Sequence, residues 1–207
     1  MARKKGINNK NRKLKKKYIY FFMEGSKNCS EDKYIREYYN QFQDRAVDIG
    51  FKFISCGDGS WKNIEKEINK EKRNINDENI EIWCVLDKDK NDLDQINKEC
   101  IKNNYKLVFS NCSFEVWLLY HYEDIKIGKC SQKNYENILT KKLNRKYKKN
   151  EGIKFSCEDK ERAIKQSKKI HEKYRILGEK INNSFNCTNF YVILEKFNEV
   201  FNKFELE

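Results

Sequence analysis

The chain has 207 residues, with 44 Lys or Arg against 32 Asp or Glu and a formal charge of +12. That length suits a single domain with a real core, and 14% aromatic residues are too many for a disordered chain. No apolar stretch approaches the length of a membrane span, which excludes an integral membrane protein of the helical kind.

Residues 1–17 hold nine Lys or Arg and no acid, so the rest of the chain carries only about +3. Such a basic arm suits a phosphate backbone or a membrane surface, and equally a solubility tail. Tyr18 to Met23 is apolar on both faces and reads as a central strand. It is too short for the apolar region of a secretion signal, and no small-residue cleavage site follows. The strand ends at Glu24-Gly25. Ser30 or Asp32 is placed to cap a helix running to about Arg45, with Tyr34, Ile35, Tyr38, Tyr39 and Phe42 on its buried side. Gly50 to Ser55 is a second strand, followed by the glycine-rich loop Cys56-Gly57-Asp58-Gly59-Ser60. Ser60 caps a helix from Trp61 to about Arg73.

Glu81-Ile82-Trp83-Cys84-Val85-Leu86 is a dense strand-forming run that ends in Asp87-Lys88-Asp89. A helix from about Leu93 to Asn103 and a strand from Tyr105 to Ser110 follow. The order β-α-β-α-β-α-β predicts an α/β fold, with a mostly parallel sheet and helices on both faces. The strand ends then share one rim. Glu24, the Gly57–Ser60 loop, Asp87, Asp89 and Ser110-Asn111 collect there, at the edge where open α/β sheets bind ligands. Asp87 and Asp89 can reach one hard cation such as Mg²⁺, although a solvated charged turn has the same sequence.

Ser113 to Tyr122 reads as a helix apolar nearly all round, with Glu115 in its first turn and His121 near its end. Glu115 suits the helix dipole or the same rim, and a histidine in that setting is more often structural than chemical. Beyond Gly128 no strong strand remains. Helices are expected over Tyr135–Tyr147, Asp159 to about Leu177, and Asn189 to about Phe204. The chain thus divides into a basic arm (1–17), an α/β core (18–127) and a C-terminal helical extension packed on the core (128–207). Eight cysteines stand singly and none forms C-x-x-C, which points to a reducing cytoplasm without disulfides or a zinc site. Proline is absent, which removes a usual boundary signal.

Three blocks carry a resemblance. Met23-Glu24-Gly25-Ser26-Lys27, Val85-Leu86-Asp87-Lys88-Asp89, and Ser110-Asn111-Cys112-Ser113-Phe114-Glu115-Val116-Trp117-Leu118-Leu119-Tyr120-His121 together resemble the RloB family. These are small Toprim-type proteins found beside restriction and other phage-defence genes. The first two blocks are the general Toprim signature, a glutamate after strand one and D-x-D after strand three. The third is more specific, usually S-N-P-x-F-E-x-W-L-L-x-H. Asn186-Cys187-Thr188-Asn189 is similar to the family's N-P-S/T element before its last helix. The likeness runs from about residue 10 to 205, and Cys112 and Cys187 depart from it where proline is usual.

The resemblance implies a Toprim-like fold and metal-dependent nucleic-acid chemistry. Asp87 and Asp89 would hold Mg²⁺ or Mn²⁺, Glu24 would be a further ligand or a general acid/base, and Glu115 would complete the acidic set. Lys27 and Lys88 are candidate phosphate contacts, and Asn111 and His121 candidate supporting residues. The family likeness favours a ribonuclease effector of anti-phage defence that cuts RNA, tRNA first, gated by an AAA/ABC-type ATPase of the same locus. A DNA-nicking Toprim nuclease and a non-catalytic nucleic-acid-binding subunit are the alternatives, since fold does not dictate chemistry. No membrane partner is expected, and a homo-oligomer is compatible with the sequence.

Overall fold

The computed structural model describes residues 17–45, 47–57, 60–73, 80–122 and 131–202. The basic arm up to residue 16, Asp58 and Gly59 of the glycine-rich loop, Cys130 and the end expected for the last helix lie outside the described residues. Five strands form one sheet in the order β2-β1-β3-β4-β5. They are β1 (Lys17–Met23), β2 (Ile49–Ser55), β3 (Ile80–Asp87), β4 (Lys106–Asn111) and β5 (Cys187–Thr188). The first four are parallel, as the alternating pattern predicts, and β5 joins β4 antiparallel. Seven α-helices occur among the described residues: α1 (Ser30–Asn40), α2 (Trp61–Lys72), α3 (Leu93–Lys102), α4 (Glu115–Leu119), α5 (Gln132–Leu143), α6 (Cys157–Ile176) and α7 (Tyr191–Asn202).

Alternation along β1 assigns the two faces of the sheet. Ile19, Phe21 and Met23 face a large core built with α1, α4, α5 and α7. Tyr20 and Phe22 face a smaller core with Ile64 and Ile68 of α2 and Leu93, Ile96 and Cys100 of α3. Aromatic rings fill the larger side. Phe21 lies against Phe53, Trp83 and Phe197, and Phe42 stacks on Phe201 at 4.6 Å between ring centres. α6 bears on both cores through Ile170 and donates a hydrogen bond from Ser167 to the Thr188 carbonyl.

Several boundaries differ from the sequence expectation, each for a local reason. α1 starts after Cys29, so neither Ser30 nor Asp32 occupies the cap position. Asp32 acts from inside the first turn, accepting the Asn28 N–H at 2.9 Å and pairing with Arg36 at 2.6 Å. The helix stops at Asn40, and i→i−3 turns carry the chain to Arg45. Ser60 does hold the cap position of α2 but makes no side-chain capping bond. α6 instead has a full capping box between Ser156 and Asp159. The segment 113–122 is one short helix flanked by i→i−3 turns rather than a ten-residue helix. α5 ends at Leu143 because Asn144 turns left-handed, at φ 52°, which takes Tyr147 out of the helix.

β5 is the one described strand that the sequence reading missed. Two residues give no alternation, and side chains reinforce its backbone pairing with β4. Asn189 accepts the Phe109 N–H and donates to the Leu107 carbonyl, standing in for a third ladder residue. Thr188 donates to the Phe109 carbonyl and meets the Ser110 hydroxyl at 3.1 Å.

Candidate acid site at the sheet rim

The parallel strands end together, and backbone bonds lock their ends in register. Glu24 N–H donates to Val85 O at 2.9 Å. Gly25 and Gly57 exchange two backbone hydrogen bonds, tying the loop after β1 to the loop after β2. Both have positive φ, 91° and 79°, so a side chain at either would be strained. Lys88 N–H donates to Ser110 O, which closes the β3–β4 side.

The acids sit on this frame. Glu24 Oε2 accepts the Asp87 N–H at 2.9 Å and an Asn91 amide hydrogen at 3.4 Å. Asp87 Oδ2 accepts the Phe114 N–H at 3.1 Å, so the strand end and the following S-x-F-E block hold one another. Glu115 is almost wholly buried. It accepts from the Ser113 hydroxyl at 2.6 Å and the Tyr147 hydroxyl at 3.3 Å, and Lys149 Nζ lies 3.6 Å from its Oε1. Asp89 is exposed, next to the turn, with its N–H 3.4 Å from Cys112 O.

Burial and neighbouring charge act on several of these carboxyls. Burial pushes the Asp87 carboxyl well above its usual range, helped by Glu31, Glu115 and Glu24 in that order and opposed by the Phe114 N–H. Glu31 is pushed up to about 7, by burial first and by Glu115 second. Glu24 is raised by burial and by Asp89, while the Asp87 N–H and Lys149 pull it back. Lys149 is the counter-charge. Burial works against its ammonium, but Glu115, Glu31 and Asp87 outweigh that cost and raise its pKa.

Glu24, Asp87, Asp89 and Glu115 therefore come together. Other expected residues fall elsewhere or are already engaged. Lys88 donates to Asn182 O at 2.5 Å and lies over the Phe185 ring. Lys27 is exposed on the loop after β1. Asn111 is buried and donates to the carbonyls of Ile181 and Asn182, which anchors the segment after α6. His121 is buried among aromatic rings and stacks on Phe155 at 3.8 Å between centres. Its Nδ1 faces the Trp117 carbonyl, so that nitrogen carries the proton, and Nε2 accepts from the Tyr34 hydroxyl at 2.7 Å. Burial pulls its pKa down to about 3, so the ring stays neutral. Replacing His121 by Ala should cost roughly 2–4 kcal/mol, from lost packing and an unpaired Tyr34 hydroxyl. Thermal unfolding would report that loss, and metal affinity at the rim should be unchanged.

Sequence reading missed Glu31, Tyr147 and Lys149. Glu31 sits one residue inside α1, in a chain rich in acids, and only the fold turns it toward Asp87 and Glu115. Tyr147 ends the stretch that reads as helix, and Lys149 is one of several lysines just beyond it. They reach the site because Asn144 ends α5, and Ser30 then accepts the returning chain, donating to Lys149 O at 2.7 Å and meeting the Tyr147 hydroxyl at 3.0 Å.

The donors suit a hard cation. Every acidic group here offers oxygen, and Asp87 Oδ1 and Glu24 Oε1 are not the atoms used in the backbone bonds above. Among the described residues no three His, Cys, Asp or Glu side chains form a ready ligand set. Mg²⁺ does not need one, since it commonly takes one or two carboxylates and completes its shell with water and substrate phosphate.

A family model described as RloB-like protein matches residues 19–197. The chain belongs to the RloB-like family. The match runs from within β1 to within α7 and takes in every acid of the rim and the Asn186–Asn189 segment. No curated protein and no solved structure matches the chain. No helix among the described residues is long and apolar enough to cross a membrane.

Proposed function

We propose that this RloB-like protein is a metal-dependent nuclease of Toprim type that hydrolyses phosphodiester bonds. The observation that carries this reading is the gathering of Glu24, Glu31, Asp87 and Glu115 around one lysine at the rim of a parallel sheet. A pure phosphate-binding surface would be weakened by that much negative charge. A metal site for phosphate chemistry draws on it, since carboxylate oxygens are the ligands that a hard divalent ion takes. Asp87 and Glu24 are the residues that would hold Mg²⁺ or Mn²⁺, with Asp89 at the outer edge.

A bound divalent ion would neutralise the phosphate, lower the pKa of an attacking water and stabilise the leaving oxygen. The protein groups do the rest. Asp87 and Glu24 are fixed by backbone N–H bonds, so their free oxygens are already oriented. A carboxyl with a pKa near 7, as at Glu31, can take up or release a proton at neutral pH. Lys149, about half exposed, offers its ammonium to a phosphate oxygen beside the acids.

The finer reading rests on the family likeness. It favours an RNA substrate, tRNA first, an ATPase partner that gates cleavage, and a role in anti-phage defence in the cytoplasm. The first test is a Mg²⁺ and Mn²⁺ titration by calorimetry on wild type and the Asp87→Ala/Asp89→Ala variant, because a gated enzyme can look inactive when pure. Binding lost in the variant supports the site. Absence of binding at millimolar metal, with and without nucleic acid, would favour a non-catalytic subunit. Cleavage of tRNA against nicking of plasmid DNA then separates the two enzyme readings. Lys149→Ala is expected to tighten metal binding, by removing a competing cation, while slowing cleavage about 10-fold or more. Equal kcat and equal metal affinity in that variant would remove Lys149 from the site.

A further inference from the structure

A second built feature lies beside the acids. α1 and the segment 149–155 run next to one another away from the rim. The segment is fastened to α1 at Ser30, which donates to Lys149 O, and at Lys33, which donates to Asn150 O. Gly152 passes so close to α1 that a Cβ there would lie 2.8 Å from Glu37 Oε1. A narrow cleft of about 10 Å³, room for one water, lies between Ser30, Lys33, Tyr34 and Gly152. Beyond it is a half-open cavity of about 370 Å³, with Tyr34, Glu37 and Ile153 on the wall between them.

The walls of that cavity are chemically specific. Tyr34, Tyr38 and Phe155 supply aromatic surface, and Lys154, Lys160 and Gln41 supply polar groups to the same lining. The Lys160 ammonium lies 5.5 Å from the Tyr38 ring centre. The volume falls in the range of small-molecule sites and exceeds what one planar ring requires. The cavity is not a catalytic centre in its own right. His121, behind Phe155, is neutral and already bonded on both nitrogens.

Geometry links the cavity to the rim. Glu31, Tyr34 and Tyr38 follow the i, i+3, i+7 spacing of one helix face, so the cavity lies about 10 Å along α1 from the acid cluster. We propose that the cavity beside α1 takes one unstacked nucleobase of a single-stranded nucleic acid whose backbone runs over the surface from the acid rim. The aromatic walls bury the base, as in other single-strand sites, and Lys154 and Lys160 meet the adjoining phosphates. Glu37, on the wall near Gly152, accepts hydrogen bonds from N–H groups on a base edge. This proposal rests on the nuclease reading, because the cavity lies about two helical turns along α1 from the acids.

The test uses the full chain in EDTA, so that binding is read without cleavage. Fluorescence anisotropy with single-stranded octamers of RNA and of DNA compares wild type, Lys154→Glu/Lys160→Glu and Asp87→Asn. The lysine variant leaves the aromatic walls intact, and circular dichroism checks that it folds. Binding is expected to fall about tenfold or more in the lysine variant and to stay equal or tighten in Asp87→Asn. Octamers carrying 4-thiouridine or 4-thiothymidine, irradiated on the protein, should leave adducts on peptides containing residues 34–41 or 153–160. The RNA and DNA arms identify the polymer. Unchanged affinity in the lysine variant, adducts only elsewhere, or binding of duplex without single strand would overturn the base site. None of those results touches the nuclease reading, which stands or falls on the metal titration and on cleavage.

Discussion

Asp87→Asn should lower metal-dependent cleavage by about 10³-fold or more while leaving a folded protein. A bound metal supplies several kcal/mol of transition-state stabilisation, and each 1.36 kcal/mol is about tenfold in rate. Asparagine keeps a carbonyl oxygen that can still accept the Phe114 N–H, so the junction between β3 and the Phe114 turn should survive. It removes the charge that a divalent ion needs. The decisive comparison is of tRNA cleavage and plasmid nicking in Mg²⁺, with the proposed ATPase present and absent, against calorimetric metal binding on the same samples. Full activity in Asp87→Asn would exclude Asp87 as a metal ligand. Loss of activity with metal binding intact would place Asp87 in proton transfer or positioning instead. Glu24→Gln should act in the same direction with a smaller effect, because Glu24 also holds the Asp87 N–H through Oε2 and an amide oxygen can replace that contact.

The sheet and most of the acid site were legible in the sequence because they are local. Each parallel strand is a short apolar run, and the turn that follows β1 or β3 carries its own acid. Once four strands run parallel, Glu24 and Asp87 must meet, whatever separates them in sequence. Glu115 was legible as a charge in a segment otherwise apolar. What escaped was set by long-range contact. β5 has only two residues, and its place depends on Asn189 bonding β4 across about eighty residues of chain. Lys149 is one lysine among many, and only the left-handed turn at Asn144 and the hydroxyl of Ser30 direct it to the acids. Lys88 shows the opposite case. Its place between the two aspartates suggested a phosphate contact, but a carbonyl from the segment after α6 holds its ammonium. Charge pattern locates a carboxylate rim well, and assigns lysines poorly when so much of the chain is lysine.

The acid cluster also fixes how stability should respond to pH and metal. In metal-free protein, melting temperature should fall as pH rises from about 5 to 8, and saturating Mg²⁺ should remove most of that fall. The raised groups are Asp87, Glu31 and Glu24. Between the ordinary carboxylate range and the raised folded value, about 7 for Glu31, the folded chain holds protons that the unfolded chain has released. Stability therefore is greatest below that window and is lost as pH rises through it. Ionising several carboxyls around one lysine leaves net repulsion in a partly buried site, and a divalent ion that binds only the folded state offsets it. Asp87→Asn removes one of the mutually repelling charges. At pH 8 without metal it should melt higher than wild type by about 2–4 °C for each kcal/mol relieved. At pH 5, with Asp87 and Glu31 held toward their protonated forms, the gap between the two should narrow. In Mg²⁺ the order should reverse at pH 8, because only wild type gains the binding energy. Parallel melting curves for both proteins across this range, unaffected by metal, would mean that the carboxyls at the rim do not act as one site, and the metal reading would fall with them.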